Sequence, residues 1–337
     1  NYLIVESSGT TGKSKSIIFD QFTKLKRSLS AKKLYSLNSK DVIIATAPFD
    51  HSLGQRLLFL PIIIGGTLVI LKNFHPVNWL QNVKKHHVTF SILVSSQINQ
   101  VIKSEKFNKN YLQSLKCLVS ASFKLSEEIK KKLLIFKFNL FEMYGLSEAG
   151  TVTNINLKKE ATKLKSVGRV FQNNKIKIIK DNKFAKNFEI GEIVCSTNYE
   201  FSGYLNLQKK KRDFFKNYLR TGDMGYMDNE KYLYFFGRKK NIIKSSGINI
   251  YPETLEQKLR KNLGIDCSII GIEDPLVGEF IKLIDEKKNK ITHKKIKSFC
   301  FRNFESYEIP KQIVFTKKLP RTSLGKPNIM TIKSTFK

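Results

Sequence analysis

Two textures of apolar and polar positions follow one another along the chain. In the first half, short unbroken apolar runs alternate with stretches of helical spacing. Val42-Ile43-Ile44-Ala45, Thr67 to Leu71, Val88 to Val94 and Leu115 to Val119 are runs of the kind that a strand covered on both faces requires. Between them, Phe22, Leu25 and Leu29 recur among lysines over Gln21 to Tyr35 and predict a surface helix. Pro76 opens a helix to about His86 with Val77, Leu80 and Val83 on one face. A further helix is expected near Ser96 to Lys103, and Ser126 caps another that carries Glu127 and Glu128 in its first turn. Strand and helix in this order predict a doubly wound α/β domain, in which ligands bind beyond the C-terminal ends of strands. The loops at 7–15, 48–54, 120–123 and 144–148 all follow strand-like runs.

From about Ser166 the period changes. Lys175-Ile176-Lys177-Ile178 alternates, Asp181-Asn182 turns, and Gly191-Glu192-Ile193-Val194-Cys195 follows, which predicts a β-rich section. Arg238-Lys239-Lys240-Asn241 is a charged stretch with the character of a linker. Beyond it, a helix over Pro252 to Asn262, strands near Ser268 to Ile272 and Phe280 to Ile284, a helix over Thr292 to Phe304 and a strand over Gln312 to Phe315 predict a small α+β domain. The expected fold class is therefore α/β. A doubly wound sheet and a β-rich section make up a large domain over 1–239, followed by a small α+β domain over 240–337.

Composition changes this picture little. The longest apolar stretch, Leu57 to Ile64, is broken by Pro61 and stopped by Gly65-Gly66, too short for a membrane span. No signal peptide opens the chain. The formal net charge of +32 invites a nucleic-acid reading, but 51 lysines against 9 arginines are spread over the whole chain. Base readers lean on arginine and on local patches, so no nucleic-acid partner is expected. Cys117, Cys195, Cys267 and Cys300 have neither metal nor redox spacing and read as buried thiols in a reducing, cytoplasmic compartment.

The chemistry gathers in a few stretches. Ser7-Ser8-Gly9-Thr10-Thr11-Gly12-Lys13-Ser14-Lys15 follows the apolar Tyr2-Leu3-Ile4-Val5. Two glycines with hydroxyls and ammoniums make a polyphosphate cradle. The spacing is not that of a Walker A loop, because position 7 is Ser, and this argues against a hydrolytic P-loop enzyme. Tyr144-Gly145-Leu146-Ser147-Glu148 places a loop carboxylate of the kind Mg²⁺ shares with phosphates. Thr221-Gly222-Asp223 sets a carboxylate for ribose hydroxyls, and Arg238 is a donor for ribose or phosphate oxygen. Pro320-Arg321-Thr322-Ser323-Leu324-Gly325-Lys326 carries a lysine suited to a developing oxyanion.

In this order the stretches resemble the adenylate-forming superfamily, and acyl-CoA synthetases within it most of all. The resemblance runs from Ser7 to about Lys333. It rests on the loop at 7–15, on Pro48-Phe49-Asp50-His51-Ser52-Leu53-Gly54 as Pro-x-x-His-x-x-Gly, and on Tyr144 to Glu148 as Tyr-Gly-x-[Thr/Ser]-Glu. Gly191-Glu192, Gly203-Tyr204-x-Asn206, Tyr218 to Asp223, Gly237-Arg238, Lys244-Ser245-Ser246-Gly247 and Pro320 to Lys326 complete the series. The resemblance implies ATP, Mg²⁺ and coenzyme A as co-substrate, and roles for single residues. Ser7, Ser8, Gly9, Thr10, Thr11, Gly12 and Lys15 hold phosphates. Tyr144, with Gly145 and Ser147, lies near adenine, and Glu148 with Thr10 holds Mg²⁺. Asp223 and Arg238 bind the ribose, Lys326 touches the carboxylate and α-phosphate, and Lys240 is the hinge. His51, Ser120, Ala121 and Ser122 line the acyl pocket, and Lys244 to Gly247 approach the acceptor thiol.

The chain departs from the pattern in three places. Ser14-Lys15-Ser16 stands for Pro-Lys-Gly, Ala121-Ser122 stands for a Gly-Gly pair, and only six residues precede the phosphate loop where the family carries a front subdomain. The expected activity is activation of a fatty or other organic acid as acyl-AMP, then transfer to a thiol, most simply that of coenzyme A. The alternatives are adenylation of an amino or aryl acid for an acyl carrier protein, which Phe49-Asp50-x-Ser52 echoes, and a non-catalytic nucleotide-binding remnant.

Overall fold

The computed structural model describes residues 3–7, 15–122, 124–205, 213–287, 291–322, 325 and 327–336. The chain divides into two compact units. The first holds the described residues up to 221 together with 226–234, and the second holds 222–225 and the described residues from 235 onward.

The first unit opens with an antiparallel pair, β1 (Leu3–Ser7) and β2 (Lys15–Phe19), in which Ser7 faces Lys15. Ser7 and Lys15, the described ends of the phosphate-loop motif, thus pair in a three-stranded sheet completed by Gly203–Tyr204. Strands β1 and β2 are not part of the doubly wound sheet.

That larger sheet is built from β3 (Val42–Ala45), β4 (Thr67–Ile70), β5 (Phe90–Val94), β6 (Cys117–Ala121), β7 (Asn139–Leu146), β8 (Gly150–Asn156) and β9 (Arg169–Val170). Its order is β4-β3-β5-β6-β7-β8-β9, parallel as far as β7 and antiparallel beyond. The helices are α1 (Gln21–Tyr35), α2 (Ser52–Ile64), α3 (Pro76–Lys85), α4 (Ser95–Ile102) and α5 (Glu127–Leu134). Successive side chains of a strand point to opposite faces. Ile44, Leu93, Leu118 and Leu140 pack with Trp79, Leu80 and Val83 of α3, whereas Ile43, Phe90, Ile92 and Val119 pack with Ala31 and Tyr35 of α1 and Leu57 and Leu60 of α2. The interior strands β3, β5 and β6 are covered on both faces, as their unbroken apolar runs require, but the run Thr67 to Leu71 supplies the edge strand β4, with Thr67 and Ile70 exposed.

Two helices differ from the sequence reading. The segment around Pro61 is helical: α2 keeps Pro61 inside it and ends at Gly65, whose N–H reaches the Pro61 carbonyl. Helix α1 forms where expected, yet Phe22, Leu25 and Leu29, which signalled it, point outward. Its buried residues are Thr23, Lys24, Arg27, Ser28, Ala31 and Tyr35. Arg27 goes inward because α1 lies over the backbone of the turn after β7, whose Ser147 and Glu148 carbonyls accept from it, while Thr23 donates to the Glu200 carbonyl and Lys24 to the Gln55 side chain.

A six-stranded sheet over residues 175–238 forms the β-rich section, with Lys175–Lys180 and Gly191–Ser196 at its centre. In the second unit, Asp266–Asp274 and Gly278–Glu286 form a long antiparallel pair, extended by Ile243–Ser245 and Ile248–Ile250 and, in parallel, by Gln312–Thr316. Helices α6 (Pro252–Leu263) and α7 (His293–Asn303) pack on it through Leu255, Leu259, Ile296 and Cys300. A short C-terminal α8 (Ile329–Thr335), which the sequence pattern did not announce, buries Ile332 beside Leu319. All four cysteines are buried and none is in a disulfide.

Candidate active site

In the first unit the candidate residues lie at the C-terminal ends of β6 and β7 and at the start of α2. His51 is the N-cap residue of α2, and its N–H donates to the Pro48 carbonyl at 3.2 Å. That turn folds back so closely that a Cβ at Gly54 would lie 1.9 Å from the Pro48 oxygen, so the last position of Pro-x-x-His-x-x-Gly admits only glycine.

Ser120 and Ala121 end β6, fully buried. The Ser120 hydroxyl has no hydrogen-bond partner among the described residues, which suits a group waiting for a ligand. Ser122 has φ +71°, the left-handed region that favours glycine. The backbone geometry that suits Gly-Gly is therefore kept while the side chain is not, at a cost of about 1 kcal/mol. The segment after Ser122 is tied down by Glu142, which accepts from the Leu125 N–H at 2.8 Å and forms a buried ion pair with Lys130.

Tyr144 to Leu146 are the last residues of β7, where the ladder to β8 shifts register between Tyr144 and Gly145. Such a shift re-aims the side chains around it. A Cβ at Gly145 would meet the Gly150 oxygen at 2.1 Å, so this glycine lets the hairpin close behind Ser147 and Glu148. The Glu148 carboxylate accepts from the Tyr204 hydroxyl at 3.0 Å through Oε1. Burial and the neighbouring carboxylate push the Tyr204 phenol up, so it stays protonated and donates. The Lys15 ammonium lies 4.9 Å from the centre of the Tyr204 ring. The end of the phosphate loop and the Tyr144–Glu148 motif therefore meet at Tyr204.

These residues fit Mg²⁺. Oε2 of Glu148 makes no hydrogen bond among the described residues, and a single carboxylate beside a phosphate cradle is how Mg²⁺ is commonly held. Ser7 closes the β1–β2 register, whereas Ser8, Gly9, Thr10, Thr11, Gly12 and Lys326 lie outside the described residues.

The second unit holds the ribose candidates. Asp223, buried, pairs with Arg238, with Nε at 2.8 Å from Oδ1. Lys240 lies in a 3-10 turn over Lys239–Asn241. Glu253 at the start of α6 secures this turn, accepting from the Arg238 N–H at 3.2 Å and the Asn241 side-chain amide at 2.8 Å. Burial pushes the Glu253 carboxyl up. Lys244 is in the strand Ile243–Ser245, and Ser246-Gly247 form the two-residue turn to Ile248–Ile250, with φ of 49° and 79°.

Sequence reasoning gave no site role to Arg27, Tyr204 or Glu253. For Arg27 a signal was available: in a chain with 51 lysines and 9 arginines, a retained arginine marks a place where the planar fork is needed.

A family model described as AMP-binding enzyme matches residues 2–205, more than half of the chain. A 2-succinylbenzoate–CoA ligase of Geobacillus sp. (strain WCH70) is 26% identical over 328 residues, covering 96% of this chain and 66% of its own length. A long-chain-fatty-acid–CoA ligase of Bacillus subtilis (strain 168) is 29% identical over 330 residues, covering 95% of this chain and 59% of its own. The chain thus spans about two thirds of the length of the curated relatives it matches. Among solved structures, o-succinylbenzoate CoA synthetase from Bacillus subtilis, in complex with the acyl-adenylate OSB-AMP, superposes with a TM-score of 0.89 at 24% identity, covering 98% of this chain and 68% of that one. ATP-bound MatB from Rhodopseudomonas palustris gives 0.90 at 21% identity, covering 99% and 67%. At these identities the superpositions establish the fold.

Proposed function

The chain belongs to the AMP-binding enzyme family, and from that premise we propose that it activates a carboxylic acid with ATP as acyl-AMP and passes the acyl group to the thiol of coenzyme A. The observation that carries this reading is the Glu148 carboxylate, oriented by Tyr204 beside Lys15, with one oxygen that makes no hydrogen bond among the described residues. A fatty or aryl acid is the proposed substrate class, since the chain's relatives include ligases named for long-chain fatty acids and for 2-succinylbenzoate.

In the first half-reaction an oxygen of the substrate carboxylate attacks the α-phosphorus and pyrophosphate leaves. The protein's task is alignment and neutralisation of charge. Lys15 and the phosphate loop hold the polyphosphate, and Thr10 and Glu148 would hold Mg²⁺, which when bound neutralises the phosphate oxygens. Asp223 and Arg238 bind the ribose, and Lys326 stabilises the charge on carboxylate and α-phosphate. His51 and Ser120–Ser122 border the acyl group, with the Ser120 hydroxyl a ready donor. In the second half-reaction the thiol sulfur attacks the acyl carbon and AMP leaves. Lys240 serves as the hinge between domains 1–239 and 240–337, and the turn at Ser246-Gly247 faces the acceptor. A carrier-protein thiol is the alternative acceptor.

The test is carboxylate-dependent ATP–pyrophosphate exchange with fatty, aryl and amino acids, with Lys326→Ala as control and coenzyme A added in a second series. Exchange with one acid class, lost in the control, supports the reading. No exchange from folded protein that binds ATP leaves a nucleotide-binding remnant.

A further inference from the structure

We propose that Arg27 and Tyr204 are positioning residues for Glu148, one fixing its main chain and the other its side chain, so that the carboxylate is pre-set for Mg²⁺. The inference rests on the assignment of Glu148 to Mg²⁺ made above.

Arg27 comes from the second turn of α1 and is only 6% exposed. A buried guanidinium ordinarily takes a carboxylate partner. This one has none among the described residues, and its donors go to backbone carbonyls instead. Nη1 donates to the Ser147 oxygen at 3.0 Å and Nη2 to the Glu148 oxygen at 3.1 Å. Nε and Nη2 both donate to the Tyr199 oxygen, at 3.0 and 2.9 Å. The fork thus spans two consecutive carbonyls of the turn that carries Glu148 and ties them to the segment leading to Tyr204. The Glu148 oxygen also accepts from the Phe201 N–H at 2.7 Å, so this peptide is held from two sides.

Tyr204 supplies the second hold. It pairs with Ile17 of β2, is fixed relative to the start of that strand at Lys15, and donates its hydroxyl to Glu148 Oε1. Main chain and side chain of one carboxylate are therefore set by two elements distant in sequence. Charge-assisted bonds from a planar fork are directional, so Arg27 earns its burial by geometry, since a lysine there would supply charge without spanning the three carbonyls. Outer partners of this kind typically change metal affinity by about 10- to 100-fold when removed.

The experiment is calorimetric titration of ATP into the whole chain, once in EDTA and once across a Mg²⁺ series, for the parent, Arg27→Lys, Tyr204→Phe and Glu148→Gln, with melting temperature as the check on folding. Expected for Arg27→Lys and Tyr204→Phe is ATP affinity in EDTA within about twofold of the parent, with about tenfold more Mg²⁺ needed for half of the Mg²⁺-dependent gain. Glu148→Gln should abolish that gain. If the two variants keep the parent's Mg²⁺ dependence while Glu148→Gln loses it, the positioning role is wrong and the metal assignment stands. If Glu148→Gln keeps it as well, the metal assignment fails and the proposal fails with it. Should Arg27→Lys melt early, Tyr204→Phe, which removes one hydroxyl, decides by the same readout.

Discussion

Helices α3 and α1 cover opposite faces of one sheet and obey opposite rules. In α3 the apolar residues Trp79, Leu80 and Val83 are buried, and the polar residues face outward. In α1 the apolar Phe22, Leu25 and Leu29 are outside, while Thr23, Lys24, Arg27 and Ser28 are inside. Helix α3 has only a sheet to cover, so burying hydrocarbon decides its orientation. Helix α1 also lies over the turn between β7 and β8, whose carbonyls need donors, and hydrogen bonding decides there. The inward face of α1 is consequently rich in cations. Lys24 donates to the Gln55 side chain at 2.5 Å and lies over the Phe19 ring. Arg56 of α2 donates to Thr151 Oγ1 at 2.7 Å. On the other face a buried lysine is paired conventionally, Lys130 with Glu142.

The largest effect that sharpens this contrast is on the α3 side. Trp79→Ala should lower unfolding free energy by about 3–5 kcal/mol, read from urea denaturation, because a large side chain is removed from a closed core. Its effect on the Mg²⁺ dependence of ATP binding should be nil, in contrast to Arg27→Lys.

Next comes Lys24. Desolvation, aided by the charges of Arg27 and Arg56, brings its ammonium down from 10.5 to about 7. Between those values the unfolded chain binds a proton that the folded chain does not. Stability therefore rises with pH from about 7 toward about 10, and below about 7 the full burial penalty is present. Lys24→Met should flatten that rise by about 1–3 kcal/mol, after allowance for the lost contact with Gln55. Equal slopes of stability against pH in parent and variant would show that Lys24 is not held out of water.

The smallest effect is on the outward stripe of α1. Phe22→Ser should change stability by less than about 0.5 kcal/mol, because the ring is already exposed. A loss near that of Trp79→Ala would mean that the stripe is core after all and that the contrast is void.

The same contrast separates what could be read in the sequence from what could not. Strands β3, β5 and β6 were legible because a strand buried on both faces leaves an unbroken apolar run, whereas β4 carries a similar run at the sheet edge with Thr67 and Ile70 exposed. Helices α3 and α5 were legible from period and caps. Helix α2 was not, because Pro61 and a nearly continuous apolar run hide its period. The motif residues were legible by resemblance, and the structure adds how they are held: Gly54 by contact with Pro48, Glu148 by Tyr204, and the Arg238–Asn241 turn by Glu253. No local pattern announces such partners, since Arg27 meets Glu148 across 121 positions and Tyr204 meets it across 56. Only the scarcity of arginine pointed toward Arg27.

The most direct test of acid activation by this chain is to trap the intermediate. The purified chain is mixed with ATP, Mg²⁺ and the acid that gives the strongest exchange, without coenzyme A, and the quenched mixture is read by mass spectrometry. The account predicts acyl-AMP and pyrophosphate in equal amounts, about one per active chain, absent in Lys326→Ala and converted to acyl-CoA and AMP when coenzyme A is added. ADP and phosphate, or AMP formed equally well without the acid, would contradict it.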